Sequence, residues 1–479
     1  MASSINNTRK SYNHHDILYN SIRFGEHISV VIRKPEIQRL QNIAQLGMTD
    51  SYFTTAISSR FNHVVGVAYL ARFFAEHINE NMKLFNDDSE SEVFTDLDIM
   101  HLELAGLFHD MHGPKSHLFS DLLMHQEGLL DFDHEKMSTF IVHHVYNKYE
   151  DIRNIWDSLG IDIDIVCNMI IGKIPVYEIH ENEVHENENE VHENENEVHE
   201  INENKSETNS DVTNVEEINI LDKSYLYQLI KNVETGLDVD KFDYLQRDAH
   251  ITGIHSIIDH ERIAMHTFVK DGKLVYDAKI MYDIMNVFMS RLYLHTVAYQ
   301  NPKVLVRDYM QCEMMHLIAE HLKLFSLNKI CKKNHYHELI SNELSVLDFF
   351  ACDLDDIYIE TILRSPIGIC HDIEVAKVIS NQIARNELWK FDLIEENGLV
   401  DTMNIVHQRS VWGGTPFENM NDLLTNIPLI NEISREINFP QIAKTMNTKI
   451  PKTNFVIHKE TYHIENSYYC ILDYNYIAI

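Results

Sequence analysis

The stretch "AGLFHDMHGPKSHLF", from Ala105 to Phe119, decides the fold because it joins an apolar helix to a short polar loop. It places His109, Asp110, His112 and His117 within nine residues. Neighbouring residues on a helix point about 100° apart, so His109 and Asp110 cannot enclose a metal ion by themselves. The stretch therefore predicts a metal site only if other helices supply further ligands.

The segments around this stretch have the pattern of helices. Apolar residues recur at three- and four-residue steps, while the chain contains only 15 glycines and 9 prolines. Helices are predicted over Val64 to Ile78, Asp96 to Asp110, His134 to Tyr149 and Asp283 to Gln300. Strand-like alternation is confined to short pieces, Lys273 to Lys279 and Asn454 to Ile464. We predict a mainly α fold, a helical core with a smaller C-terminal α/β lobe.

The composition excludes several classes of protein. No run of about 18 uncharged apolar residues and no apolar N-terminal stretch is present, which favours a cytoplasmic or nuclear protein over a secreted or membrane-spanning one. Six scattered cysteines without a CxxC pair predict neither a zinc ribbon nor a disulfide framework. A formal charge of −34 argues against a general nucleic-acid-binding surface, which needs clustered Lys and Arg.

An acidic, low-complexity segment interrupts the chain at residues 178–217. The unit VHENENE recurs from Val184, Val191 and Val198, with one apolar position per repeat where a coiled coil needs two. A disordered insert is therefore favoured over a His/Glu metal-sequestering tract. The predicted division is an N-terminal segment 1–35, a first core segment 36–177, the insert, a second core segment 218–395 and a C-terminal lobe 396–479.

Other segments offer the missing metal ligands. His63 lies inside the apolar helix "RFNHVVGVAYL", and "GLDVDKFDYLQRDAH" offers Asp238, Asp240, Asp243 and Asp248. Two His and two Asp from several helices would suit a first-row divalent metal with positions open for water. Each feature taken alone is more often a hydrogen-bonded core histidine or a capped, solvated turn. Their joint occurrence favours the metal site.

Together these residues resemble the HD-domain superfamily of metal-dependent phosphohydrolases. Within it, the chain is similar to the SAM-and-HD-domain dNTP triphosphohydrolases from about Ile37 to about Lys390, although no SAM domain fits before the core. The motifs that carry the resemblance are "IQRLQNIAQLG", "SSRFNHVVGVAYLA", "AGLFHDMHGPKSHLF", "DHEKMS", "GLDVDKFDYLQRDAHITGI", "SRLYLHTVAYQ" and, more weakly, "IARNELWKF". The resemblance implies cleavage of a dNTP to a deoxynucleoside and inorganic triphosphate.

The resemblance also implies a role for each matching residue. The metal, Fe or Zn in most relatives, is held by His63, His109, Asp110 and Asp240, while Mg or Mn accompanies the nucleotide. The residues implied to grip the triphosphate are Arg60, Lys241, Tyr244 and Arg291. His117 is the implied general acid, oriented by His134 and Glu135, with His112 facing the phosphates.

The implied sugar contacts explain selection of a deoxynucleotide. Gln45 and Asp248 match residues that hydrogen-bond the 3′-OH. Leu46 and Tyr299 match residues packed where a ribose 2′-OH would lie, and Gln300 matches a neighbour of base and sugar. Since little in this set reads the base edge, broad dNTP acceptance is expected.

The sequence departs from the family in two places. Only Met111 separates Asp110 from His112, so the loop is one residue shorter than in the family, and Lys115 precedes Ser116. The family's guanine-reading pair corresponds here to Arg33 and Gln41. We expect GTP-dependent assembly to be lost or replaced, in a protein that is still a homo-oligomer, a dimer or a tetramer.

Two alternatives stay open at this point. An HD phosphohydrolase acting on a nucleoside monophosphate or a cyclic nucleotide would keep the metal site, but Lys241, Tyr244 and Arg291 would have no β- and γ-phosphates to hold. An inactive or regulatory nucleotide-binding protein would result if the shortened loop had lost catalysis.

Overall fold

The computed structural model describes residues 11–86, 93–119, 133–174, 223–299, 301–365 and 371–388, with five short strand segments between 391 and 472. Gln300, the acidic insert at 178–217 and most of the predicted C-terminal lobe lie outside the described residues. The domain boundaries and the insert therefore stay predictions.

The described chain is mainly α, as the periodicity predicts. The helices are α1 (Glu26–Ser29), α2 (Pro35–Gln38), α3 (Arg60–Asn86), α4 (Asp96–Phe108), α5 (His134–Lys148), α6 (Glu150–Leu159), α7 (Ile163–Ile171), α8 (Ser224–Ile230), α9 (Val239–Thr252), α10 (His260–Ala264), α11 (Met281–Leu294), α12 (Pro302–Leu317), α13 (Leu324–Cys331), α14 (Ser341–Cys352), α15 (Asp356–Arg364) and α16 (His371–Ala384). Helices α3, α4 and α5 coincide with three of the four predicted segments.

The strands are short and form small sheets. They are β1 (Tyr12–Asp16), β2 (Asn20–Phe24), β3 (Thr267–Lys270), β4 (Lys273–Asp277), β5 (Phe391–Leu393), β6 (Leu429–Ile430), β7 (Phe455–Ile457), β8 (Lys459–Ile464) and β9 (Ser467–Leu472). Pairing is antiparallel for β1 with β2, β3 with β4, β5 with β7 and β8 with β9, and parallel for β4 with β6. The prediction of a strand at Lys273 is confirmed.

The predicted helix from Asp283 to Gln300 changes its winding before its end. Helix α11 stops at Leu294, and a π-helical turn runs over His295–Tyr299. The hydroxyl of Thr296 donates to the carbonyl of Leu292 at 2.9 Å, so a side chain competes for a carbonyl that a regular helix uses. Such π turns often occur at functional sites, and this one carries Tyr299 into the cavity described below.

Helices α3 and α4 pack closely because two small residues meet where they cross. A Cβ atom added at Gly106 would lie 2.9 Å from the backbone N and Cα of Ala68. The residues on either side, Leu104, Ala105, Leu107 and Val67, are fully buried. This crossing sets the distance between His63 on α3 and His109 at the end of α4.

No helix among the described residues is both long and apolar enough to cross a lipid bilayer.

We predict that Gly106→Ala destabilises the fold by about 2 to 3 kcal/mol, since a methyl group there overpacks a backbone contact that cannot relax freely. Urea-induced unfolding measures the change. Gly160→Ala is the control. An added Cβ there approaches nothing closer than Leu97 Cδ2 at 3.9 Å, so this variant is destabilised only by the left-handed φ of +77°. Equal decreases in the free energy of unfolding of the two variants would contradict the close packing of α3 and α4 at Gly106.

Candidate active site

A cavity of about 380 Å³ brings the predicted site residues together. Every one of them lines it except Gln300, which lies outside the described residues. The lining includes residues that the sequence analysis did not assign to the site, among them Thr49, Lys115, Lys231, His295 and Asp308. Residues as far apart in sequence as Gln45 and Asp308 thus line one cavity.

Three helices supply the predicted metal ligands. His63 lies in the first turn of α3, His109 caps the end of α4 and Asp240 lies in the first turn of α9. Asp240 Oδ1 is 3.1 Å from His63 Nε2 and 3.3 Å from His109 Nε2. Asp110 Oδ2 is slightly farther, at 3.6 Å from His63 Nε2 and 3.8 Å from His109 Nε2. Three of these donor atoms, from His63, His109 and Asp240, therefore form one group that could hold a metal ion, and Asp110 lies slightly farther out.

The two histidine rings are oriented for metal binding. His63 Nδ1 donates to Asp243 Oδ2 at 2.7 Å, and His109 Nδ1 donates to the carbonyl of Gly106 at 2.8 Å. A proton held on Nδ1 leaves the lone pair on Nε2, the arrangement that metal-binding histidines require. His109 Nε2 is buried and lacks a well-formed hydrogen bond. The residues therefore fit a divalent metal of the N/O-binding kind.

Asp110 connects this group to a second one. Its Oδ2 atom pairs with Arg60, and its Oδ1 atom contacts His112 Nε2. Although burial opposes ionisation, Arg60 and His112 hold the pKa of this carboxyl well below its usual range. Asp110, His112 and His134 have donor atoms within 4.8 Å of one another and are a second set of possible ligands.

A buried network of charged residues contacts His63 through its Nδ1 atom. Asp243, which the sequence analysis offered but did not assign, accepts two hydrogen bonds of 2.9 Å from Arg247 and one of 2.9 Å from Tyr19. Burial opposes its ionisation, but Arg247 and His63 lower the pKa of Asp243 to about 2. The sequence signal that could have revealed the role of Asp243 is the spacing of Asp240, Asp243 and Arg247 along one face of the helix.

A glycine makes room for this network. A Cβ atom at Gly66, one turn after His63, would overlap Asp243 Oδ1 and lie 2.5 Å from Arg247 Nη2. Helices α3 and α9 therefore approach so closely at Gly66 that no larger residue fits there.

The predicted phosphate-binding cations face the same cavity. Lys241 and Tyr244 follow Asp240 on α9, Arg291 lies on α11, and Arg60 begins α3. Asp238 caps α9 by accepting from the backbone N–H of Lys241 at 3.0 Å and pairs with its ammonium at 3.4 Å. Burial disfavours the charged lysine, but Asp238 more than offsets this and raises the pKa of Lys241. Positively charged side chains, those of Arg60, Lys241 and Arg291, thus line the cavity.

The predicted general acid lies beside a cation. His117 Nε2 is 3.5 Å from Arg60 Nη2, and burial together with Arg60 holds the pKa of His117 well below its usual range. His134 stacks on His112 with ring centroids 4.6 Å apart, while Glu135 pairs with Lys231. The orientation of His117 by His134 and Glu135 stays a prediction.

Two buried oxygen atoms mark the predicted sugar side. Tyr299 donates its hydroxyl to Asp248 Oδ2 at 2.5 Å, whereas Asp248 Oδ1 and Gln45 Oε1 have no hydrogen-bond partner among the described residues. Asp308 accepts from the backbone N–H of Met48 at 3.1 Å and so holds the segment that carries Gln45 and Leu46. Buried acceptors without partners are costly, which favours a ligand hydroxyl at this edge.

Arg33 and Gln41, the two positions where a change of regulation is predicted, do not line this cavity. Arg33 lies 5.7 Å from the ring centroid of Tyr12, and Gln41 donates to Gln38 Oε1 at 2.8 Å. Their effect on assembly stays a prediction.

Comparison with known proteins gives three informative relatives. The deoxynucleoside triphosphate triphosphohydrolase SAMHD1 of Gallus gallus is 28% identical over 374 residues, which are 75% of this chain and 52% of that protein. The Dictyostelium discoideum homolog of that enzyme is 26% identical over 285 residues, 59% of this chain and 45% of its own. A putative HD domain-containing protein of Acanthamoeba polyphaga mimivirus is 26% identical over 351 residues, 71% of this chain and 66% of its own.

The chain spans about half the length of the first two of these relatives. No protein-family model matches it. Two of the three relatives are named for the same triphosphohydrolase and the third for its HD domain, so their names agree with the His and Asp groups in the cavity.

We predict that Gly66→Ala weakens divalent-metal binding by about 10- to 100-fold, the usual effect of disturbing a residue that orients a ligand. The added methyl group displaces Asp243, so His63 loses its acceptor. Calorimetric titration of chelator-treated protein with Mn²⁺ measures the dissociation constant. Gly253→Ala, at a position with nothing within 4 Å of an added Cβ, is the control and keeps the affinity. Unchanged Mn²⁺ affinity in Gly66→Ala would refute the supporting role of Asp243.

We predict that Asp248 makes stability depend on pH. Burial raises the pKa of its carboxyl from 3.8 to about 7, although the Tyr299 hydroxyl opposes the rise. A folded-state pKa above the unfolded one favours the neutral group, so stability falls as pH rises from about 4 to about 7. Asp248→Asn has no carboxyl to ionise and so avoids this loss. As the pH rises, the free energy of unfolding of the variant is expected to increase by up to about 4 kcal/mol relative to that of the wild type.

Urea unfolding of both proteins at about pH 5 and about pH 8.5 tests this expectation. Asp283→Asn, a carboxylate that pairs with Arg262 near the surface, is the control and changes the difference by less than about 1 kcal/mol. A free-energy difference between wild type and Asp248→Asn that is the same at both pH values would rule out the proposed titration.

Proposed function

We propose that this chain, which is similar to the deoxynucleoside triphosphate triphosphohydrolases of Gallus gallus and Dictyostelium discoideum, is a metal-dependent dNTP triphosphohydrolase of the HD-domain family. The reaction consumes one water and releases a deoxynucleoside and inorganic triphosphate. The observation that carries the proposal is the meeting of the metal-ligand group with Arg60, Lys241 and Arg291 in one cavity. A triphosphate needs both kinds of partner.

The chain's residues bind the substrate by its charge. Arg60, Lys241, Arg291 and the hydroxyl of Tyr244 would surround the triphosphate, because all four line the cavity. A divalent metal held by His63, His109, Asp110 and Asp240 would supply Lewis-acid polarisation of a phosphoryl oxygen and a water of lowered pKa. These residues leave the reacting phosphorus between the metal side and His117.

His117 then handles the proton of the leaving group. A water oxygen forms a bond to the α-phosphorus as the bond from this phosphorus to the 5′-oxygen breaks. The attacking water releases one proton to the solvent, and protonated His117 gives a proton to the departing 5′-oxygen. Burial and Arg60 lower the pKa of His117 in the absence of substrate. A bound triphosphate pairs with Arg60 and adds negative charge, both of which favour the protonated imidazole. Substrate binding is therefore expected to protonate the His117 imidazole that acts as the acid.

The sugar contacts support a deoxynucleotide substrate. Gln45 Oε1 and Asp248 Oδ1 offer acceptors for a 3′-OH, while Leu46 and Tyr299 occupy the neighbouring wall. A ribose 2′-OH would meet these two side chains. Selection is therefore expected at the sugar rather than at the base.

A second candidate function keeps the binding site without the reaction. The lowered pKa of His117 favours an inactive, regulatory nucleotide-binding protein if bound nucleotide does not restore the proton. An HD phosphohydrolase for monophosphates or cyclic nucleotides would have no β- and γ-phosphates for Lys241, Tyr244 and Arg291 to bind. We keep the triphosphohydrolase as the leading proposal, in a homo-oligomer whose assembly is independent of GTP.

The products of hydrolysis test the proposal directly. Purified protein is incubated with each dNTP and with GTP as a ribonucleotide, in Mn²⁺ or Mg²⁺, and products are separated by anion-exchange chromatography. Deoxynucleoside with inorganic triphosphate is expected from every dNTP, and no turnover from GTP. Monophosphate with pyrophosphate would overturn the assigned bond, and binding without product would select the inactive alternative.

His109→Ala is expected to lose bound metal and at least about 1,000-fold in turnover, because metal polarisation is worth several kcal/mol. His143→Ala is the matched control. His143 is on α5, outside the cavity lining, where it lies 3.6 Å from Asp164. Metal content by elemental analysis separates loss of the ligand from loss of the fold.

A further inference from the structure

The shortened loop after Asp110 contains an uncommon backbone turn. Lys115 has a φ of +58° and Ser116 a φ of +53°, so two consecutive residues that are not glycine are left-handed. Such a conformation costs on the order of 1 kcal/mol or more for each residue and persists only when the surroundings hold it. His117 follows immediately, so the turn determines where its imidazole lies.

One carboxylate, that of Asp356, holds this turn from outside the motif. Asp356 Oδ1 accepts from the backbone N–H of Lys115 at 2.6 Å. Asp356 Oδ2 lies 3.2 Å from the Lys115 ammonium. The side chains of Asp356 and Lys115 are only 14% and 21% exposed, so water does little to weaken the pair.

The same carboxylate also holds the neighbouring segment that leads into Gln45 and Leu46. Asp356 Oδ2 accepts from the backbone N–H of Ala44 at 3.0 Å, just before Gln45 and Leu46. The hydroxyl of Ser116 donates to the carbonyl of Ala44 at 2.5 Å. The turn and the sugar-side segment are thus joined to one anchor.

Arg60 connects the anchored turn to the reacting groups. Its Nε donates to Ser116 Oγ at 3.3 Å and its Nη2 to the carbonyl of Gln45 at 3.3 Å. The same guanidinium pairs with Asp110 and approaches His117. A displacement of the turn would therefore move Arg60 and His117 together.

We infer that Asp356 is a positioning residue that holds the short HD loop in its left-handed turn and thereby aims His117 at the leaving group. The inference rests on the proposed function for the role of His117, but not for the conformation of the loop. Lys115, at the position of the departure from the family, supplies both the backbone N–H and the ammonium that Asp356 binds.

Asp356→Ala tests the inference. The turnover number is expected to fall by about 10- to 100-fold, the effect of a misplaced catalytic group, with KM within about threefold of the wild type. Bound metal stays the same, because Asp356 binds Lys115 and Ala44 rather than a metal ligand. Hydrogen exchange of the amides in residues 112–118, followed by mass spectrometry, is expected to accelerate.

Asp355→Ala is the matched control. Asp355 is the preceding residue, caps α15 by accepting from the Tyr358 N–H at 2.8 Å and binds Asn42 at 2.8 Å. Its loss costs about 1 kcal/mol of helix stability without touching the turn. If Asp355→Ala and Asp356→Ala showed the same turnover and the same exchange in residues 112–118, the inference would be overturned.

A rescue variant separates positioning from general destabilisation. Glycine adopts positive φ freely, so Lys115→Gly in the Asp356→Ala background is expected to recover turnover by about fivefold or more and to slow exchange in the loop. Lys115→Ala in the same background removes the lysine equally but keeps the strain, and no recovery is expected. Equal behaviour of the two double variants would contradict the role of the turn.

Failure of the proposed reaction is distinguishable from failure of this inference. A wild-type protein that releases no triphosphate would refute the function, while the exchange data on the four variants would still decide whether Asp356 holds the loop. Normal turnover with unchanged exchange in Asp356→Ala would refute the inference alone.

Discussion

The hydrogen bond between His63 and Asp243 is the constraint on which the site depends. It fixes the imidazole so that Nε2 faces His109 and Asp240, and it requires α3 and α9 to approach closely at Gly66. Arg247 compensates the buried charge of Asp243 with two hydrogen bonds. A buried carboxylate without such a partner would cost several kcal/mol, so the network and the helix packing stabilise one another.

Arg60 connects the metal group to the reacting loop. It pairs with Asp110, so some of the negative charge that would attract a metal is already compensated. It also lies beside His117 and lowers the pKa of that imidazole. Under the proposed function, a triphosphate would compete for the same guanidinium, which would free Asp110 for a metal and favour protonated His117. Arg60 would then couple substrate binding both to the metal site and to the proposed acid.

The mainly α fold and the grouping of the site residues could be predicted because each lies in a short motif with its own local pattern. His63, His109 and Asp240 are of this kind. The contacts of Asp356 and Lys231 could not be predicted, because their partners are distant in sequence. Asp356 binds Lys115, about 240 positions away, and Lys231 binds Glu135, about 100 positions away. The π turn at Tyr299 was also missed, because the apolar period that predicts a helix does not distinguish a π turn from an α-helical one.

Some buried polar atoms of the cavity lining lack a hydrogen-bond partner among the described residues. His109 Nε2 lies beside the predicted metal ligands, while Gln45 Oε1 and Asp248 Oδ1 lie where the sugar is predicted to bind. A buried polar atom left unsatisfied costs about 1 to 3 kcal/mol. The positions of these atoms, with a nitrogen beside the possible metal ligands and two oxygens beside Tyr299 and Leu46, suit the proposed nucleotide, which carries phosphates at one end and a sugar hydroxyl at the other.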